Sequence, residues 1–101
     1  MSKKLLQIDF PFSGPWGAAM DEALRPLAED IAGEPGLIWK IWTADEAGST
    51  AGGIYLFADQ TSLDRYLVKH LARLASFGIT ETRAKCFDAS ETLTRITRGP
   101  V

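Results

Sequence analysis

The chain is poor in the residues that build metal, redox and covalent sites. It has one cysteine, Cys86, and one histidine, His70. A lone cysteine excludes an internal disulfide and any CxxC pair, and Cys86 reads as buried filling rather than a reactive thiol. A lone histidine excludes HExxH, and nothing around His70 has metal-ligand spacing. No GxGxxG or GxxxxGK run follows a strand, so no metal and no other cofactor is expected. Gly52 and Gly53 open a strand instead, and read as close backbone packing or a bulge. Asparagine is absent altogether. An excess of one charge is lacking too: 11 Lys and Arg stand against 13 Asp and Glu, with both signs interspersed. That leaves no nucleic-acid footprint. No apolar run reaches membrane-spanning length, so no membrane partner is expected. The opening MSKKLLQIDF sets two lysines before an apolar run, but Gln7 and Asp9 interrupt it. No secretory segment is read, and a cytoplasmic location is expected.

What is present is enough for one folded domain over residues 1–101, with 46% hydrophobic and 24% charged residues. The richest stretch is GLIWKIWTADEAGSTAGGIYLFA, Gly36 to Ala58. Two runs of Ile, Leu, Trp, Tyr and Phe flank a polar, Gly-containing middle, the sign of two neighbouring strands and their connection. Simple alternation places Leu37, Trp39 and Ile41 on one side, and Ile38 and Trp42 on the other with Lys40 between them. Ile54 and Leu56 alternate with Tyr55 and Phe57. Both faces of this pair are therefore apolar.

Lys3 to Phe10 reads as a first strand. Trp16, Met20, Ala23, Leu24, Leu27 and Ile31 form a helical stripe, with Ser13 as a candidate cap. Pro26 inside it predicts a kink near Glu22 to Pro26, or two short helices. Asp59, Thr61 or Ser62 can cap a second helix whose stripe is Leu63, Tyr66, Leu67, His70, Leu71, Leu74 and Phe77, stopped by Gly78. Ile79 to Phe87 reads as a fourth strand, and Ser90 to Thr97 as a short fifth strand or an extended tail. The order β-α-β-β-α-β gives an α+β, ferredoxin-like sandwich with an antiparallel sheet. Its helices cover one face. The other, apolar here, calls for a second copy of the chain, making a homodimer; the alternative is that loops and the C-terminal tail cover it.

Few residues offer chemistry. His70 sits within an apolar stripe and reads either as a base near neutral pH or as a structural histidine bonded to its neighbours. Ser13 and Ser62 stand where caps belong. Phe12 and Trp16 flank a Gly-Pro turn. With Trp39, Trp42, Tyr55 and Phe57 they can line a flat apolar pocket, or serve as core and interface. Lys40 interrupts an apolar strand; Asp9 or Glu81 across the sheet is its expected partner, and attraction of an anionic substrate is the other reading.

The segments LLQIDFPFSGPWG, LRPLAEDIAGEPGLIWKIWT, AGGIYLF and YLVKHLARLASFGI leading to AKCFD resemble the small bacterial YdhR family of monooxygenases. The resemblance spans nearly the whole chain, the proline inside the first helix included. It implies a dimeric α+β barrel, in which two ferredoxin-like sheets pack together, like the antibiotic-biosynthesis monooxygenases. It also implies cofactor-independent oxidation, by O2, of a small aromatic or polycyclic phenol or enol. On that reading His70, with Tyr66 and Tyr55, carries the chemistry, and Phe12, Trp16, Trp39, Trp42 and Phe57 bind substrate. Such barrels place an asparagine beside the substrate, and this chain has none, so another residue must take that role. Two alternatives share the fold: a non-enzymatic dimeric binding module for small apolar ligands, and isomerisation or decarboxylation of an enolisable substrate.

Overall fold

A computed structural model describes residues 2–101. The elements are β1 (Lys4–Pro11), α1 (Gly17–Ala32), β2 (Leu37–Asp45), β3 (Thr50–Phe57), α2 (Gln60–Ser76), β4 (Arg83–Asp88) and α3 (Glu91–Ile96). The strands form an open sheet in the order β2-β3-β1-β4, with every neighbouring pair antiparallel. This is the strand order of a ferredoxin-like α+β sandwich.

The two long helices form for different local reasons. Asp59 caps α2, its carboxylate accepting from the Ser62 N–H at 2.7 Å. That bond holds the Asp59 carboxyl below its usual range. Gly78, at φ +84°, follows the last turn in the left-handed conformation that ends helices. At α1 the N-cap is Trp16, with no side-chain bond, and Ser13 does not cap. Nor does Pro26 split the element: α1 is one helix from Gly17 to Ala32. An interior proline costs about 3 kcal/mol. Met20 and Ile31 are buried and Leu27 is packed against the core, so burial of this face offsets the lost hydrogen bond.

The core lies between helices and sheet. It joins Leu6 and Ile8 of β1, Tyr55 and Phe57 of β3, Ile31 of α1, and Leu63, Tyr66 and Leu74 of α2. β1 and β3 approach closely because Gly52 lacks a side chain; a Cβ there would collide with the Ile8 carbonyl.

The faces of β2 differ from simple alternation. A bulge between Leu37 and Trp39 shifts the register, so that Leu37 pairs with Phe57 while Trp39 pairs with Leu56. Leu37, Lys40 and Trp42 therefore face the helices, and Trp39 and Ile41 face the open side. The open side also carries Leu5, Ile54, Leu56 and Phe87 by register. The C-terminal tail reaches this side, where Trp39 Nε1 donates to the Pro100 carbonyl at 2.7 Å. Leu56, between Leu5 and Trp39, is fully buried, while Ile41 stays 53% exposed.

The C-terminal third departs from expectation in four ways. Ile79–Thr82 is not strand, and β4 starts at Arg83. Every residue of β4 is exposed, so Cys86 is a surface thiol rather than buried filling. Residues 91–96 form the helix α3, not a strand, with Arg95 bonded to Glu91 one turn back at 3.0 Å. Leu71 and Phe77, placed in the buried stripe of α2 by periodicity, are exposed. Among the described residues no helix is long and apolar enough to cross a membrane.

Candidate active site

A cavity of about 550 Å³ opens between the sheet and the helices. Its floor is the helix side of β2 and β3 together with His70 of α2, its walls are α1 and the end of α2, and its lip is the Phe10–Pro15 segment. Phe12, Trp42 and Tyr55 supply aromatic surface; Lys40 and His70 supply the titratable nitrogen groups. A shallower groove of about 390 Å³ runs along the outer side of α1, sharing Met20, Leu24 and Trp42. It holds neither Lys40 nor His70.

The polar groups form a chain beneath the aromatics. Tyr66 donates its hydroxyl to that of Tyr55 at 3.1 Å. The His70 ring stacks on Tyr66 at 4.9 Å between centroids and meets Tyr55 edge-on at 6.3 Å. Arg73, one turn further along α2, points Nε and Nη2 at His70 Nδ1, at 3.3 and 3.0 Å. A guanidinium has no acceptor, so Nδ1 accepts and the imidazole proton sits on Nε2. Arg73 also pairs with Asp30 of α1 at 2.6 Å.

This arrangement sets the proton affinities. Burial, then the Lys40 and Arg73 charges, lower His70 to about 3. Burial pushes Tyr55 up to about 12, against the smaller opposing effects of the Tyr66 bond and Arg73. Tyr66 rises as well, burial first and Tyr55 second. Burial, with Arg73 second, lowers Lys40 to about 7. No carboxylate partners Lys40 among the described residues; Asp9 pairs with Arg83 at 2.7 Å instead. The Lys40 ammonium lies 3.3 Å over the Trp42 ring centroid and 4.7 Å from that of Tyr55.

The residues singled out by sequence divide into three groups. Phe12, Trp42, Tyr55 and His70 line the cavity. Tyr66, Phe57 and Trp16 stand one layer back: Tyr66 bonds Tyr55, Phe57 stacks near Tyr55 at 6.1 Å, and Trp16 meets Phe12 edge-on at 5.3 Å. Trp39 is on the opposite face of the sheet, against the tail. Sequence reasoning passed over Arg73 entirely. Its signal was there, because Tyr66, His70 and Arg73 are four and three residues apart on one helical face. Among the described residues no group of three or more His, Cys, Asp or Glu side chains comes close enough together to hold a metal ion.

Residues 5–100 match the model of the family described as "Putative mono-oxygenase ydhR". No curated protein matches the chain. A match of that extent takes in all of the sheet but Lys4, both long helices and the whole cavity lining, and on that ground the chain belongs to the YdhR mono-oxygenase family.

Proposed function

We propose that the chain is a cofactor-independent monooxygenase that oxidises a small aromatic or polycyclic phenol or enol with O2. The observation that carries this reading is the cavity of about 550 Å³ with aromatic walls and a short polar floor of Lys40, Tyr55 and His70. Its size suits a ligand of a few fused rings. Phe12 and Trp42 hold the ring system, and Trp16 backs Phe12 at the lip. Phe57 and Tyr66 support Tyr55 from below. Trp39 acts at a distance, by anchoring the tail on the other face.

The chemistry needs an electron-rich anion. Loss of a proton from the bound hydroxyl or enol gives a phenolate or enolate, which reduces O2 by one electron. The two radicals recombine at carbon. For an anthrone-type substrate, the methylene carbon takes one oxygen atom and becomes a carbonyl. Its two hydrogens leave with the other oxygen atom as water. The substrate supplies all the electrons. Neutral Tyr55 and the Nε2–H of His70 are hydrogen-bond donors on the cavity floor, and take the part of the missing asparagine.

The working unit is a homodimer closed into an α+β barrel across the open faces. Supporting this, Ile41 and Phe87 on the open face are 53% and 43% exposed. The edge strand β4 is uncovered on both sides. A cytoplasmic setting fits a small-molecule oxidation of this kind.

The second reading is a non-enzymatic dimeric binding module for small apolar ligands. Its specific support is His70, which is neutral and already bonded, as a structural histidine would be. Oxygen-electrode measurements with hydroquinones and anthrones separate the two. Consumption of O2 with appearance of the ketone supports the oxygenase; saturable binding with no O2 uptake across the panel supports the module. Turnover of an enolisable substrate under nitrogen identifies isomerisation or decarboxylation instead.

A further inference from the structure

Among the described residues Lys40 is the only cationic side chain lining the cavity, and no carboxylate lines it. Its position is built rather than incidental. The bulge after Leu37 brings Lys40 to the helix side, opposite Tyr55. Gly53, the partner of Trp42, makes room for it, since a Cβ at Gly53 would meet Lys40 Cε. Two π faces stabilise the ammonium, but none of the ion pairs among the described residues uses it. A half-buried lysine with no counter-ion costs stability unless something supplies the anion.

The other groups around it do not compete. α1 contributes Met20, Ala23, Leu24 and Leu27, and the lip contributes no titratable side chain. α2 contributes His70 and, behind it, Arg73; β3 contributes Tyr55. His70 has its Nδ1 occupied and takes up a second proton only in acid; Tyr55 gives one up only in strong base. Lys40 is the group facing the cavity that exchanges a proton near neutrality.

We propose that Lys40 Nζ takes the proton of a bound phenol or enol and then holds the oxyanion as its counter-ion, so that the cavity selects aromatic compounds with an acidic hydroxyl. In this step the substrate O–H bond breaks, an N–H bond forms on Nζ, and the electron pair stays on oxygen. The inference deepens the oxygenase reading by naming its base and substrate class, but the step itself involves no O2.

The test uses 4-nitrophenol, whose phenolate is coloured, and nitrobenzene as its neutral counterpart. Binding and bound-state ionisation are titrated by absorbance on the wild-type protein, K40M and H70Q. The wild type is expected to lower the probe's ionisation pH by about one unit, equivalent to about tenfold tighter binding of the phenolate than of the phenol. K40M is expected to lose that shift while still binding nitrobenzene; H70Q, which exchanges one neutral donor for another, is expected to reduce it less than K40M does. Should K40M fail to fold, by its melting curve, K40Q takes its place. A shift that survives in the Lys40 variant, a bound probe that stays neutral, or no binding by the wild type overturns the proposal. Oxygen uptake is read separately. A Lys40-dependent shift without O2 consumption leaves this assignment standing and removes the oxygenase; full oxygenation by the Lys40 variant does the reverse.

Discussion

Arg73 holds His70 from behind: its Nε and Nη2 lie 3.3 and 3.0 Å from Nδ1, while Nη1 reaches Asp30 on α1 at 2.6 Å. One guanidinium thus ties the two helices together and fixes the imidazole tautomer. It also places a positive charge where it opposes protonation of His70. The histidine is thereby a donor through Nε2, and acid is the condition that challenges it.

The stability of the fold should accordingly fall in acid. The folded-state value of His70, about 3, lies below its ordinary 6.5. Between those values the unfolded chain binds a proton that the folded chain does not. Stability from this group is therefore whole above pH 6.5 and declines as pH falls toward 3, by up to about 1.4 kcal/mol per pH unit. Urea unfolding at several pH values, for wild type and H70Q, measures it. H70Q should show a shallower decline, and equal slopes for the two proteins would refute the assignment.

Lys40 imposes the same kind of burden in a higher pH window. Its folded-state value of about 7 is below the ordinary 10.5, so the unfolded chain binds the extra proton between those values. The cost is full below pH 7 and fades as pH rises to 10.5. K40M, similar in size and uncharged, should melt at a higher temperature than wild type at pH 6, with the gap narrowing by pH 10. A variant less stable than wild type at pH 6 would count against an unpaired, half-buried lysine.

Turnover should rank the two nitrogen groups. On a substrate identified by oxygen uptake, removing a general base costs about 10²–10⁴-fold. K40M should lose that much, with the smallest loss for substrates already ionised in solution. H70Q keeps a polar donor in place and should lose less. A larger loss in H70Q than in K40M, with both proteins folded, would return the proton step to His70.

Assembly gives a prediction that is independent of chemistry. Sedimentation equilibrium at micromolar concentration should give about twice the 11.0 kDa chain mass. Ile41→Asp places a charge on the open face and should yield monomers. Trp42→Asp lies on the cavity side and should spare the dimer while weakening ligand binding. A monomeric wild type, or an intact I41D dimer, would exclude pairing through this face.

The sequence by itself determined the order of the elements and the architecture. Periodicity sufficed, because a stripe such as Leu63, Tyr66, His70 and Leu74 has one buried solution, on a helix against a sheet. Local chemistry also located the Gly78 stop and narrowed the cap of α2 to Asp59, Thr61 or Ser62, of which Asp59 caps. Where two weak local signals competed, periodicity failed. Leu93 and Ile96 are too few to distinguish a turn of helix from a strand, and the Ser90–Thr97 segment is helical. What only the tertiary structure decided was which side of the sheet each residue of β2 faces. One extra residue at Ile38 reverses the alternation, parts Leu37 from Trp39 and turns Lys40 into the cavity. The proton affinities of Lys40 and His70 were equally beyond the sequence. They depend on how much water each nitrogen loses and on a guanidinium whose charge acts through space, and both are set when β2 and α2 close over the same cavity.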